Sequence, residues 1–112
     1  MAALDQLRNL VESTLTEHAR VPAAYGQIQF ELVFDRVRDR YLLMLVGWDH
    51  HGHRVHGSLI HIDIIEGKIW IQRDGTEEGV ANELLAAGVA EEQVVLAWKS
   101  PETDKQAQAA VA

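Results

Sequence analysis

The stretch His61 to Gln72, HIDIIEGKIWIQ, sets two apolar runs on either side of the dipeptide Glu66-Gly67. A pair ending in Gly suits a two-residue hairpin loop, whose central positions take positive φ. If Glu66 and Gly67 form that loop, Ile65 pairs with Lys68 and the remaining register follows by counting. Ile64 then opposes Ile69 and Ile62 opposes Ile71, which makes one face apolar. Asp63 opposes Trp70 and His61 opposes Gln72, so the other face is polar and aromatic. The sheet containing this hairpin therefore has one side suited to a core and a second side of different chemistry.

Extended outward, the hairpin implies a third strand over roughly His53 to Ile65 and a fourth over Lys68 to Arg73. YLLMLVGW, Tyr41 to Trp48, is apolar at nearly every position. A strand tolerates that only when both its faces are covered, which places this second strand centrally. Before it, Ile28, Phe30, Leu32 and Phe34 alternate with Gln27, Gln29, Glu31, Val33 and Asp35, the period-two pattern of a half-buried strand. Residues 2 to 19 read as an amphipathic helix, with Leu4, Leu7, Val11 and Leu15 at helical spacing. Beyond the hairpin, Asp74 stands three residues before Glu77 as in a capping box, with Thr76 as an alternative cap. Val80, Leu84 and Leu85 supply the apolar side of a second helix, and Gly88 closes it. Glu91 to Trp98 reads as a short last strand.

These elements predict an α+β fold: a four-stranded antiparallel meander with two helices packed on the face bearing Ile62, Ile64, Ile69 and Ile71. Residues 1–112 form a single domain in this reading, and residues 102–112, with little to bury, a weakly ordered tail.

Composition narrows the functional classes. A chain of 112 residues with 47% hydrophobic content has the balance of one globular domain. It buries roughly two-thirds of its unfolded surface, enough for a core without a disulfide or structural metal. The absence of Cys removes thiolate metal sites and cysteine nucleophiles and fits a reducing, cytoplasmic setting. No segment reaches the roughly 18 apolar residues of a membrane span. The formal net charge of -7 argues against strong direct binding to nucleic acid, which needs surplus Lys and Arg on the contacting face. The densest basic stretch, DRVRDR from Asp35 to Arg40, interleaves its arginines with aspartates and reads as a solvated turn.

WDHHGHRVHG, Trp48 to Gly57, holds four of the six histidines. Gly52 supplies a turn there, His50 and His51 point to solvent, and His53 and His56, an odd number apart, lie on opposite faces of an extended chain. Zinc needs three or four converging ligands, and only Asp49 and Asp63 stand ready to complete a set, so no metal and no cofactor is expected. His61 and Asp63 form an i, i+2 pair that sets imidazole beside carboxylate, the parts of an acid/base site, with Gln72, Asp74, Glu31 and Trp70 as possible neighbours. No nucleophile is marked, because Ser13, Ser58 and Ser100 sit in no strained elbow or triad context. No catalytic residue is therefore assigned, and a small acid/base enzyme using His61 and Asp63 is the least favoured reading.

Three segments carry a resemblance: YGQIQFELVFDRVRDRYLLMLVGWD, HGSLIHIDIIEGKIWIQRDGTEEGVANELLAAGV and EEQVVLAWKSP. Together they resemble the XisI family, the fdxN element excision controlling factor proteins. The most specific pieces are Val46-Gly47-Trp48-Asp49, the pattern of Ile60, His61, Asp63 and Ile64, and GKIWIQ followed by DGTE. Two departures stand out. Lys99 occupies a position where the family commonly has His, and ETDKQAQAAVA replaces a basic, aromatic tail. The histidine loop is not a family feature either. The resemblance implies a non-enzymatic accessory role, with a XisH-like partner, in excision of a DNA element by a separate recombinase. XisH-like proteins resemble nucleases of the restriction-endonuclease kind, which raises an alternative role as an antitoxin-like or immunity-like inhibitor.

Two helices cover only one sheet face. The other, carrying Trp70, Gln72, His61 and Asp63, with Trp48 available from the second strand, is the expected partner-binding surface for a XisH-like protein or a second copy.

Overall fold

A computed structural model describes residues 3–20 and 27–99. Helix α1 spans Leu4–Ala19, and four strands follow: β1 Gln27–Asp35, β2 Arg40–Trp48, β3 Arg54–Ile65 and β4 Lys68–Asp74. Helix α2 covers Val80–Ala86, and a 3-10 turn at Glu91–Gln93 leads into β5, Val94–Leu96. The expected tail, 102–112, lies outside the described residues.

The sheet is five-stranded in the order β1-β2-β3-β4-β5, and it is mixed, which corrects the expectation of a four-stranded antiparallel sheet. The first four strands form the meander, while β5 runs parallel to β4 and pairs Val95 with Trp70. Parallel neighbours need a crossover of a dozen or more residues, and the chain from Gly75 to Gln93, with α2 inside it, supplies one. A strand of three residues is too short to declare its direction in the sequence.

The central hairpin forms as its sequence requires. Glu66 at φ 52° and Gly67 at φ 75° give the two positive values of a tight hairpin turn. Ile65 opposes Lys68, Ile64 opposes Ile69, Asp63 opposes Trp70 and Ile62 opposes Ile71. The expected pairing of His61 with Gln72 does not form, because a bulge intervenes and His61 faces Arg73. A second bulge in β3 leaves Leu43 opposite Ile60 and Met44 opposite Ser58, with Leu59 extra. The two irregularities are tied together: Gly75 N–H donates to the Leu59 carbonyl at 2.8 Å and Arg73 Nε to the Ser58 carbonyl at 2.7 Å. These bonds hold the end of β4 one residue beyond the simple count.

Ile62, Ile69 and Ile71 are fully buried and Ile64 nearly so. They pack with Leu7, Val11 and Leu15 of α1 and Val80 and Leu84 of α2, so both helices lie on the expected face. Each such side chain contributes about 1.5–3 kcal/mol on burial. Arg36 clamps α1 through Glu12 at 2.7 and 3.1 Å, and His18 of α1 meets Glu83 of α2 at 2.8 Å.

The expected Asp74–Glu77 capping box is replaced by a wider arrangement. Helix α2 begins only at Val80, after Gly79 at φ 88°, a conformation no helix passes through. Val80 N–H donates to Asp74 Oδ2 at 2.7 Å, Thr76 N–H to Oδ1 at 2.9 Å, and Gly79 N–H to Thr76 Oγ1 at 3.2 Å. Burial pushes the Asp74 carboxyl up, yet the Thr76 hydroxyl, the Val80 and Thr76 N–H groups and nearby His18 outweigh it and hold the group below the usual carboxylate range.

Candidate partner-binding face

On the side of the sheet away from the helices, the register lines up Arg40, Asp63, Trp70 and Val95 across β2 to β5. Asp63 is 6% exposed, and its carboxylate is the centre of the group. His61 Nε2 lies 2.8 Å from Oδ1, Gln72 Nε2 donates to Oδ2 at 3.2 Å, and Arg40 Nε stands 3.6 Å from Oδ1. The β4 bulge is what leaves Gln72 unopposed and able to reach Asp63.

The structure therefore brings His61, Asp63 and Gln72 together and adds Arg40. The sequence did not reveal Arg40, because the register of β2 on β3 depends on the bulge at Leu59. Of the other neighbours considered, Asp74 turns away to cap α2, and Glu31 sits on β1 opposite Met44. Ser13 bonds back to its own helix at Leu10, Ser58 pairs opposite Met44, and Ser100 lies outside the described residues. Two side chains thus hydrogen-bond the Asp63 carboxylate and Arg40 pairs with it by charge, while His61 remains part-exposed beside it. The arrangement is a buried carboxylate satisfied from within, flanked by a part-exposed imidazole.

Trp70 is the least accessible of the expected aromatic contacts, at 6% exposed, packed with Val95, Ile65 and Ala97 as a small second core. Its buried Nε1–H has no hydrogen-bond partner among the described residues. Trp48 is the opposite case, 50% exposed, with the Arg54 guanidinium 4.5 Å over its ring. It lies eight residues along β2 from Arg40, roughly 26 Å at strand rise, so the face has two separate features. Beside Trp48 opens a groove of about 550 Å³ lined by Gln27, Ile28, Val46, Gly47 and Arg54. A side chain at Gly47 would run into the Gln27 carbonyl, and Gly47 also holds φ 154°. Glycine is required there for β1 to approach and for Trp48 to be presented.

The histidine loop closes on Asp49, whose Oδ1 accepts the His51 and His53 N–H groups at 2.9 Å each, with Gly52 at φ 78°. The His53 N–H is the first cause of an Asp49 carboxyl held below its usual range. His50, His51, His53 and His56 are all exposed. Among the described residues no three His, Asp or Glu converge as metal ligands.

The fold of this chain is shared with solved XisI-like proteins. A XisI-like protein of Anabaena variabilis is 33% identical, covers 92% of this chain and 94% of its own, and superposes with a TM-score of 0.85. The fdxN element excision controlling factor XisI of the same organism is 27% identical over 89% of this chain and 96% of its own, with a TM-score of 0.74. No curated protein matches the chain. The XisI protein family model matches residues 1–111, and the chain belongs to that family.

Proposed function

We propose that this chain is a non-enzymatic accessory factor in control of DNA excision, and that it works in the cytoplasm by binding a XisH-like protein rather than by gripping DNA itself. The observation that carries the reading is the state of five of its ten cationic side chains. Arg8 pairs with Asp39 and Asp5, Arg20 with Glu17, Arg36 with Glu12, Arg38 with Asp35 and Arg40 with Asp63, in a chain of net charge -7. Each phosphate contact by one of these arginines would first break an ion pair.

The partner-binding surface in this reading comprises Trp48, His61, Asp63 and Gln72, with Trp70 beneath. Trp48 offers a half-exposed aromatic anchor beside a groove, the usual form of an interface hot spot. Co-purification of the untagged product of the neighbouring gene tests the proposal, and Trp48→Ala should weaken capture while the domain stays folded. Trp70→Ala is a poor probe, because loss of a buried Trp costs about 3–5 kcal/mol by itself. Failure to capture the neighbour with the unaltered chain would sink the reading.

Exposed Glu77, Glu78, Glu91 and Glu92 favour a second reading, an inhibitor that covers the basic cleft of a nuclease partner and gains association rate from charge. A cleavage assay on the partner separates the two: an inhibitor suppresses cutting, whereas an accessory factor leaves it intact or directs it.

A further inference from the structure

Strand β1 forms one edge of the sheet, and among the described residues it pairs only with β2. It is nine residues long, QIQFELVFD, and its ladder with β2 has no irregularity. Exposed edges are ordinarily protected by Pro, charge, a bulge, shortness or a covering segment; β1 is long, has no Pro, Lys or bulge, and carries only Glu31 and Asp35 as charges. The opposite edge, β5, is three residues long and too short to template another strand. Among the described residues the core layer also runs out to the β1 edge without being sealed. Phe30 and Phe34 pack partly against it, and Leu32 is 38% exposed in the same cross-strand row as fully buried Leu43 and Ile60.

We propose that β1 pairs antiparallel with β1 of a second copy about a two-fold axis at Leu32, joining two five-stranded sheets into one. The sequence of the strand selects both occupant and register. Residues directly opposite in an antiparallel pair share a face. With the axis at Leu32, Leu32 meets its twin and Phe30 meets Phe34 of the second copy, so the apolar row continues across the junction. On the other face Glu31 meets Val33 and Gln29 meets Asp35, with no carboxylate opposite another. An axis at Glu31 would set two glutamates side by side, a repulsive pair.

The ends of the strand agree with the same axis. The tip between β1 and β2 carries Val37, 90% exposed. The two-fold brings each tip toward the Gln27 end of the other copy, where the groove beside Ile28 and Trp48 lies open. A protrusion at one end of β1 and a hollow at the other are what a closed two-fold contact needs. Helix α1 packs over β1, β2 and β3 on one face of the sheet, leaving the hydrogen-bonding edge of β1 unpaired among the described residues. The β1 pairing at Leu32 does not use His61, Asp63 or Gln72, but the hollow that receives Val37 adjoins Trp48 and is shared with that end of the proposed XisH-like surface.

Sedimentation of the full chain over a concentration series should show a dimer. Leu32→Lys should raise its dissociation constant at least tenfold without lowering the melting temperature of the monomer. The chain has no Cys, so Leu32→Cys introduces a single thiol opposite its twin, at the roughly 5 Å Cα spacing that a disulfide accepts. Mild oxidation should link that variant at least tenfold faster than Val37→Cys, which is more exposed but far from the axis. A chain that stays monomeric throughout overturns the proposal. Equal cross-linking of the two thiol variants, or a dimer indifferent to Leu32→Lys, also overturns it.

Discussion

The Arg8 guanidinium on α1 holds the Asp39 carboxylate in the β1–β2 turn through two bonds, Nε to Oδ1 at 2.8 Å and Nη2 to Oδ2 at 3.1 Å. Tyr41 donates its hydroxyl to the same Oδ1 at 2.8 Å, and the Asp39 carbonyl accepts the Ile64 N–H at 3.0 Å. One residue thus joins the helix, the first hairpin and the third strand. Asp39 also takes φ 55°, a conformation that Asp and Asn tolerate better than other side chains with a Cβ.

Arg8, ahead of Tyr41, lowers the Asp39 carboxyl below its usual range. A depressed folded-state value stabilises the fold above the unfolded value of about 3.9 and is lost as pH falls through the folded value. Asp39→Asn keeps the backbone preference and removes the charge. It should cost about 1.5–3 kcal/mol in urea unfolding at neutral pH, the scale of hydrogen bonds to a charged group. The difference from the unaltered chain should shrink progressively below about pH 4. A cost equal at pH 7 and pH 2 would show that charge plays no part.

Asp74→Ala removes the acceptor for both Val80 and Thr76 N–H groups at the start of α2. Loss of a cap of this kind costs about 0.5–2 kcal/mol. Amide exchange should quicken first in Val80 to Leu84, ahead of the central strands. Uniform acceleration across the molecule would contradict a local role.

Gly47→Ala should be more damaging than its size suggests, by about 2–4 kcal/mol, because the new methyl collides with backbone rather than with a flexible side chain. Thermal unfolding measures it. A near-neutral outcome would mean that β1 does not approach β2 as closely as the Gln27 contact requires.

Purified without a histidine tag, the protein should contain no stoichiometric zinc and melt at the same temperature with and without chelator. Ligand bound to the native state must raise the melting temperature, so a large drop on chelation would establish a site in the His50–His56 region.

Duplex DNA should bind negligibly to the isolated chain at physiological salt. A sub-micromolar dissociation constant that weakens steeply with added salt would show that some of the paired arginines release their carboxylates to phosphate.

The hairpin from Ile62 to Ile71 was legible because a two-residue loop leaves no freedom in register, and the four isoleucines reported the buried face directly. Legibility stopped at Gln72, where the Arg73 and Gly75 bonds to β3 carbonyls impose a bulge that no local pattern encodes. The group around Asp63 was half visible for the same reason. His61 follows from spacing on its own strand, whereas Arg40 is delivered by a pairing that depends on the extra residue Leu59. Strand β5 was recognisable as an apolar run, yet its direction is a property of the crossover and not of its three residues.

The parallel placement of β5 also divides the chain by the order in which it can assemble. Strands β1 to β4 meet through successive short turns, so each pairing closes a small loop at little entropic cost. Joining β5 to β4 closes a loop of about twenty residues, which is slower. The apolar pocket of Trp70 and Val95 is therefore expected to be completed last. During synthesis the meander can form while that indole is still bare, and dilution of any chaperone that shields it would be felt there before anywhere else in the molecule.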